Sequence, residues 1–166
     1  MPLLYVPGNH DPSVELSATS WMPLRAEIPI PGPPGCDNIE GRVVEARGLR
    51  IAGLGGSLRY KRGPNQYTQA QMSRRAFRLG LRVALRRARR TRKLDVLLTH
   101  APPFGLVPAT DAAHAGFVAF SRLIGTFHPL VHVHGHVHPY GRASIERRIG
   151  PTRVVNAIPW RMIELG

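Results

Sequence analysis

The sequence is poor in cysteine and in long apolar runs, and each shortage excludes a class of protein. The single cysteine, Cys36, excludes an intrachain disulfide framework and indicates a reducing compartment. No stretch is long and apolar enough to cross a membrane, and residues 1–6 lack the basic leader of a secretory signal. We therefore expect a cytoplasmic protein that has no membrane partner.

Acidic residues are also scarce. The chain has 23 lysines and arginines against 10 aspartates and glutamates, which gives a formal net charge of +13. Such an excess raises nucleic acid or another anionic polymer as a partner. No acidic residue occurs between Glu45 and Asp95. The basic residues crowd one segment of this interval, at Arg74, Arg75, Arg78, Arg82, Arg86, Arg87, Arg89, Arg90, Arg92 and Lys93.

At helical spacing this segment divides into two stripes. The apolar stripe contains Met72, Ala76, Leu79 and Val83, and the basic stripe contains Arg75, Arg78, Arg82, Arg86, Arg89 and Lys93. The pattern predicts an amphipathic helix whose basic face is solvated. Attraction of phosphate-rich partners to that face is the alternative, so nucleic acid is a candidate partner but not the favoured one.

The size and the local patterns predict one domain of α/β class. A chain of 166 residues that is 43% apolar can bury one core, so a single domain over residues 1–166 is expected. Helices are predicted over residues 68–92 and 114–126. Short apolar runs that end in turns predict three buried strands, over residues 3–6, 94–98 and 130–134.

Turn signals predict the remaining elements. Arg47-Gly48 indicates a hairpin of residues 42–46 and 49–53, and Gly150-Pro151 indicates antiparallel strands at residues 142–149 and 153–157. A final strand is expected over residues 161–165. The proline-rich stretch 20–38 is expected to be irregular, and the glycine-rich stretch 53–64 to be a mobile loop over the functional site.

Metal-competent side chains stand where the three buried strands end. The first strand leads into Gly8-Asn9-His10-Asp11, the second into His100, and the third into Gly135-His136-Val137-His138. Histidine nitrogens and an asparagine amide oxygen are neutral ligands that suit manganese, iron, zinc, cobalt or nickel. Histidines two apart in a loop can reach different ions of a pair. A hydroxide that bridges such a pair of ions can attack phosphorus in line.

In this order the three blocks resemble the last three signature blocks of the calcineurin-like phosphoesterases. The resemblance extends over most of the chain, from residue 3 to about residue 140. It implies the α/β fold of that family, a sandwich of two mixed β-sheets flanked by helices. It also implies a metal-dependent phosphomonoesterase or phosphodiesterase with two divalent ions of the manganese, iron or zinc type.

The resemblance also implies roles for individual residues. Asn9, His100 and His136 would bind one metal ion, His138 would bind the other, and His10 would protonate the oxygen of the leaving group. Taken alone, His10 could cap a helix and His100 could be an ordinary polar residue at a strand end. The order of the three blocks favours the functional interpretation.

Neighbouring residues receive other interpretations. Asp11 is expected to brace its loop, and the alternating His132 and His134 to pack on one strand face behind the ligands. In related enzymes the loop after His100 shapes the substrate pocket, so Asp111 and His114 are candidate substrate-binding residues.

Two glycines and a basic loop complete the expected site. Gly8 and Gly135 are expected where a side chain would hinder a loop close to a metal. Arg59, with Lys61 and Arg62, is expected to face a charged group of a phosphorylated small molecule or another phosphoester.

Two family blocks, Asp-x-His and Gly-Asp-x-x-Asp, are absent from the sequence. In the family they supply the remaining ligands of the first ion, the carboxylate that bridges both ions, and a partner for the proton donor. The expected fold is therefore N-terminally truncated, and metal binding is expected to be poor. A gene start placed too far downstream, a truncated chain and a scaffold kept for binding are the alternatives. We favour the first, which predicts an upstream reading frame that encodes both blocks.

Two functions remain open. One is the metal-dependent phosphoester hydrolase. The alternative is a catalytically inactive scaffold or a module that binds anionic polymers through the basic stripe. Salt distinguishes them, because polymer binding weakens steeply as ionic strength rises, whereas ester hydrolysis would depend on added metal.

Overall fold

A computed structural model of the chain describes residues 3–11, 34–90, 93–106, 114–138 and 146–165, without the side chains of residues 86–90. Within these ranges the order of elements is β1 (Leu3–Tyr5), β2 (Cys36–Asn38), β3 (Val43–Ala46), β4 (Leu49–Leu54), β5 (Ser57–Leu58), β6 (Gln66–Tyr67), α1 (Gln69–Arg90), β7 (Val96–Thr99), α2 (Val118–Phe127), β8 (Val131–His134), β9 (Arg147–Ile149) and β10 (Thr152–Asn156). The predicted α/β class is confirmed.

A mixed six-stranded sheet carries the fold, in the order β3-β4-β7-β8-β10-β9. Strands β4, β7, β8 and β10 are parallel, and β3 and β9 add antiparallel edges. Two small parallel pairs, β1 with β2 and β5 with β6, lie outside this sheet. Because the carboxyl ends of parallel strands meet at one edge, the loops after β7 and β8 are neighbours. The Gly135 N–H donates to the His100 carbonyl at 3.0 Å.

The predicted hairpin of β3 and β4 is confirmed. The strands pair from Val43 with Ala52 to Ala46 with Leu49. At the turn, Arg47 has φ 48° and Gly48 has φ 78°. Positive φ at both central residues is the geometry that matches the twist of a two-residue hairpin.

Helix α1 is confirmed, and its apolar stripe faces the core. Met72, Ala76, Leu79 and Val83 are all buried there. Burying four such side chains is what a surface helix of this pattern requires to stay folded.

The basic stripe of α1 is not the uniformly solvated face that its pattern predicts. Arg75 forms an ion pair with Glu40, and its guanidinium lies 3.7 Å from the centre of the Tyr67 ring. Arg82 donates to the backbone carbonyl of Gly41. Among the stripe residues whose side chains the structure describes, Arg75 and Arg82 therefore tie the helix to the chain before β3.

Several local predictions were wrong. Leu3 is 65% exposed, because β1 pairs with β2 rather than inside the large sheet. Strand β2 occupies part of the stretch 20–38, whose residues 20–33 lie outside the described residues. The stretch 161–165 is not a strand.

Helix α2 begins four residues later than predicted. Gly116 has φ 74°, and Phe117 is extended with φ −120° and ψ 129°. Phe117 exchanges backbone hydrogen bonds with the segment before it, donating to Pro102 O and accepting from Phe104 N, both at 3.1 Å. The helix can start only after this bridge, at Val118. The antiparallel pair of β9 and β10 around Gly150 is confirmed in its described part.

The glycine-rich stretch 53–64 is not one mobile loop. Its first residues belong to β4, and Ser57–Leu58 form β5. Gly55 and Gly56 are buried, and the Gly56 N–H donates to the Pro7 carbonyl at 2.9 Å. In the part of the chain that the structure describes, no helix is long and apolar enough to cross a membrane.

Candidate metal centre

Three donor atoms from three separate segments meet in one place. His100 Nε2 lies 3.0 Å from Asn9 Oδ1 and 3.1 Å from His136 Nδ1. Asn9 follows β1, His100 ends β7 and His136 follows β8. We call Asn9, His100 and His136 the donor cluster.

The donor cluster brings more acceptors together than hydrogen bonding alone explains. Asn9 Nδ2 donates to the Tyr60 hydroxyl at 3.3 Å, which turns Oδ1 toward His100. A protonated His100 Nε2 has a single proton for two neighbours, and an unprotonated one can accept from His136 Nδ1 but then faces the lone pairs of Asn9 Oδ1. A cation at the centre of the three donors would satisfy all of them.

The spacing of the donors fits a metal ion. Two ligand atoms that each lie about 2.1–2.2 Å from an ion, with a right angle between them at the ion, are about 3.0–3.1 Å apart. Both His100 Nε2 contacts have this length. The donor cluster therefore fits adjacent positions of an octahedral ion. Within the described residues, no group of three or more His, Cys, Asp or Glu side chains is placed to hold a metal ion. The donor cluster is not such a group, because it consists of two histidines and an asparagine.

Burial keeps the His100 imidazole neutral. Desolvation lowers the pKa of His100 to about 4, assisted by His136 and His10 and opposed by Asp11. The pKa of His134 is lowered to about 4, mainly by burial and in part by His136, against a hydrogen bond to Gly135 O. A neutral imidazole keeps the lone pair that a metal requires.

His132 packs against the residue that precedes His100 in the sequence. It is fully buried, and burial holds its pKa well below the usual value. Its Nε2 lies 2.7 Å from Thr99 Oγ1, and Thr99 Oγ1 donates to Ala101 O at 2.7 Å. The predicted packing role of His132 is confirmed, and buried His134 shares it.

Gly8 lets two segments of the site approach each other. A Cβ at Gly8 would lie 2.7 Å from His100 Cε1 and 2.9 Å from His100 Nδ1. The expected need for glycine here is confirmed. Asp11 braces the same turn as predicted, because its Oδ2 accepts from the Gly8 N–H at 2.6 Å.

The same expectation for Gly135 was wrong. A Cβ at Gly135 would meet Ile158 at an ordinary 3.6 Å. The unusual backbone lies one residue later, where His136 has φ 65° and Val137 N donates to Gly135 O at 2.7 Å. Such a three-residue turn is rare and strained, and strain of this kind concentrates at functional sites.

The other predicted site residues lie on the loops of the donor cluster, near His136, on a separate loop, or outside the described residues. His10 and His138 are exposed on the two loops that carry Asn9 and His136. The His114 ring centre lies 5.0 Å from that of His136. Arg59 donates to Gln66 O at 3.3 Å and Gln71 Oε1 at 3.1 Å. Asp111 lies outside the described residues.

Two residues that touch the site were not predicted. Tyr60 bonds Asn9, and the Asn65 amide donates to Gly8 O at 2.9 Å and to Asp11 O at 3.2 Å. Gly63-Pro64-Asn65 is a recognisable turn signal, but a turn signal does not indicate which distant loop the turn contacts.

Comparison with known proteins gives one family match and solved structures of similar fold. The sequence profile of the calcineurin-like phosphoesterases matches residues 1–140. Among curated proteins, none matches the chain. The fold is similar to the crystal structure of TT1561 of Thermus thermophilus, with 20% identity and a TM-score of 0.48, over 75% of this chain and 50% of that one.

A further crystal structure has 21% identity and a TM-score of 0.49, over 75% of this chain and 46% of that one. The chain thus spans about half the length of these two solved structures. The profile match covers well over half of the chain and contains all three residues of the donor cluster. This chain belongs to the calcineurin-like phosphoesterase family.

Proposed function

We propose that the donor cluster holds one divalent ion of a centre that hydrolyses phosphate esters. The observation that carries the proposal is the meeting of Asn9 Oδ1 and His136 Nδ1 at His100 Nε2, at 3.0 and 3.1 Å. Neutral imidazoles and an amide oxygen suit manganese, iron or zinc. The family to which the chain belongs acts on phosphoesters.

A second ion and a proton donor are further parts of the proposed centre. His138, exposed two residues beyond His136, is the proposed ligand of the second ion. Bound divalent ions would supply charge neutralisation at phosphorus and a water activated for attack. His10 is exposed next to buried Asn9, so its imidazole can reach a bound ester and hold the proton that the leaving oxygen takes up.

The proposed substrate is a phosphomonoester or phosphodiester of a small molecule. Lys61 and Arg62 are exposed beside Tyr60, which contacts the donor cluster directly. Their charges can attract an anionic substrate to this side of the site. Arg59 is directed to Gln66 and Gln71 instead, so we assign the attraction to the other two residues.

The test combines metal binding with hydrolysis. Cobalt serves as a spectroscopic probe of the metal site, and nitrophenyl phosphate and bis-nitrophenyl phosphate serve as the monoester and the diester. We expect His136→Ala to lose cobalt binding and metal-dependent hydrolysis together. His128→Asn is the matched control, because exposed His128 caps α2 with φ 46° and asparagine tolerates that conformation.

Two results would contradict the proposal. Equal cobalt binding by the parent and His136→Ala would remove the donor cluster as the metal site. Cobalt binding without metal-dependent hydrolysis of either ester would favour the catalytically inactive scaffold.

A further inference from the structure

A short loop that carries none of the proposed metal ligands forms hydrogen bonds with the turn that carries Asn9. This β5–β6 loop consists of residues 59–65, between Leu58 and Gln66. The Asn65 side-chain amide donates to Gly8 O at 2.9 Å and to Asp11 O at 3.2 Å. These two carbonyls flank Asn9 and His10 on either side, so one side chain fixes both ends of the turn.

The same loop also sets the orientation of the Asn9 side chain. Asn9 is 5% exposed, and its Nδ2 donates to the Tyr60 hydroxyl at 3.3 Å. An amide has a donor end and an acceptor end, and here the Tyr60 hydroxyl accepts from the donor end while the acceptor end faces His100. The Tyr60 hydroxyl holds the nitrogen end, and Oδ1 therefore faces His100.

The β5–β6 loop is itself stabilised by hydrogen bonds to the two strands that it joins. Gln66 is buried, and its Oε1 accepts from Tyr60 N and Lys61 N, each at 3.3 Å. The Asn65 carbonyl accepts from Ser57 N at 3.0 Å, and Asn65 has φ 50°. Asparagine tolerates this left-handed conformation better than most residues. The loop can therefore act as a fixed template for the Asn9 turn.

We propose that Tyr60 and Asn65 are positioning residues for the Asn9 ligand, and that the β5–β6 loop presets the geometry of the metal site. This inference rests on the proposed function, because it assumes that Asn9 Oδ1 binds the metal. Neither residue touches the ion. Each acts through Asn9, Tyr60 by orienting the amide and Asn65 by fixing the backbone on both sides of it.

The test uses cobalt affinity and the visible absorption band of the cobalt-loaded chain. Tyr60→Phe removes only the hydroxyl, and Asn65→Gly removes the amide while keeping a residue that accepts positive φ. Loss of residues that orient a metal ligand lowers metal affinity by about 10-fold to 100-fold. We expect Tyr60→Phe near the lower figure and Asn65→Gly, which loses two hydrogen bonds, near the higher one. Both variants should shift the absorption band.

Matched controls separate positioning from general loosening of the fold. Tyr67→Phe makes the same chemical change on β6, where the Tyr67 ring, rather than its hydroxyl, contacts Arg75. Arg47→Gly makes the matching change to glycine at φ 48°, in the β3–β4 turn. Both controls should keep the parent's affinity and band. Thermal unfolding of each metal-free variant shows whether it is folded under the binding conditions.

The outcomes distinguish this inference from the proposed function. If His136→Ala loses cobalt while Tyr60→Phe and Asn65→Gly keep the parent's affinity and band, the metal site stands and the positioning roles are overturned. A purely structural role would lower the unfolding temperature and leave the band unchanged, which also overturns them. If the parent binds no cobalt, the proposed function fails, and the positioning roles fail with it.

Discussion

Replacing Gly8 by alanine is the smallest change that should disturb the donor cluster. The new Cβ would lie 2.7 Å from His100 Cε1 and 2.9 Å from His100 Nδ1. Carbon atoms pack best at about 3.5–4.0 Å, so the His100 ring must retreat by roughly 1 Å. That movement breaks the contacts of His100 Nε2 with Asn9 and His136.

The size of the effect follows from this displacement. Inserting a methyl group into a packed site costs about 1–3 kcal/mol of the free energy of unfolding. A ligand moved by this amount should also lose at least the roughly 10-fold to 100-fold in metal affinity that follows loss of an orienting contact. Chemical denaturation measures the first quantity, and titration with cobalt measures the second.

Gly135→Ala is the matched control for Gly8→Ala. Both glycines directly precede a member of the donor cluster, but the atoms nearest to a Cβ at Gly135 would be those of Ile158, at 3.6 Å, and His100 O, at 3.9 Å. We expect Gly135→Ala to fold and to bind cobalt like the parent. If the two variants show the same stability and affinity, the close approach of Gly8 to His100 does not hold the site together, and the reasoning is refuted.

Three further predictions concern acid, charge and proton transfer. Burial lowers the pKa of His132 in the folded state, so the folded chain binds a proton there less readily than the unfolded chain. The free energy of unfolding should therefore fall as pH drops below about 6.5, with a contribution from His132 of at most about 1.4 kcal/mol per pH unit. His132→Gln should flatten the fall of stability between neutral and mildly acidic pH in denaturant titrations, and an unchanged slope would contradict this. Glu40→Ala should cost about 1–3 kcal/mol of unfolding free energy, because it removes the acceptor of the buried Gly55 N–H and of Arg75. Glu146→Ala, at an exposed ion pair with Arg153, should cost clearly less; similar values would show that the contacts of Glu40 contribute little. In a chain with the two missing family blocks restored, His10→Ala should lower turnover by about 100-fold to 10,000-fold and leave metal content unchanged, and loss of metal would make His10 a ligand rather than the proton donor.

Local patterns predicted much of the fold. The apolar stripe of α1 and the turn at Arg47 and Gly48 involve residues within one turn or one hairpin, and their spacing alone determines what they form. The contact of Arg75 with Glu40 joins residues 35 positions apart, which no local pattern specifies. For that reason the whole basic stripe was predicted to be solvated. Part of it instead packs against the chain before β3.

The meeting of His100 and His136 was predictable because β7 and β8 are neighbouring parallel strands, whereas Asn9 follows β1, which lies outside that sheet. Asn9, His100 and His136 each follow an apolar run, and the order of their motifs indicated a common site. The residues that orient Asn9 were not predictable in this way. Tyr60 lies 51 positions from Asn9, in a stretch that was predicted as a loop over the site without any indication that Tyr60 contacts Asn9. Nor could a glycine rule indicate that the backbone with positive φ would be at His136 rather than at Gly135.

The most direct test of the account is to locate the metal. Crystals of the chain grown with manganese should give an anomalous difference peak about 2.0–2.3 Å from Asn9 Oδ1, His100 Nε2 and His136 Nδ1. The peak should disappear in His136→Ala and remain in His128→Asn. A peak bound elsewhere, or the absence of any peak at the donor cluster in a manganese-saturated crystal, would contradict the central claim.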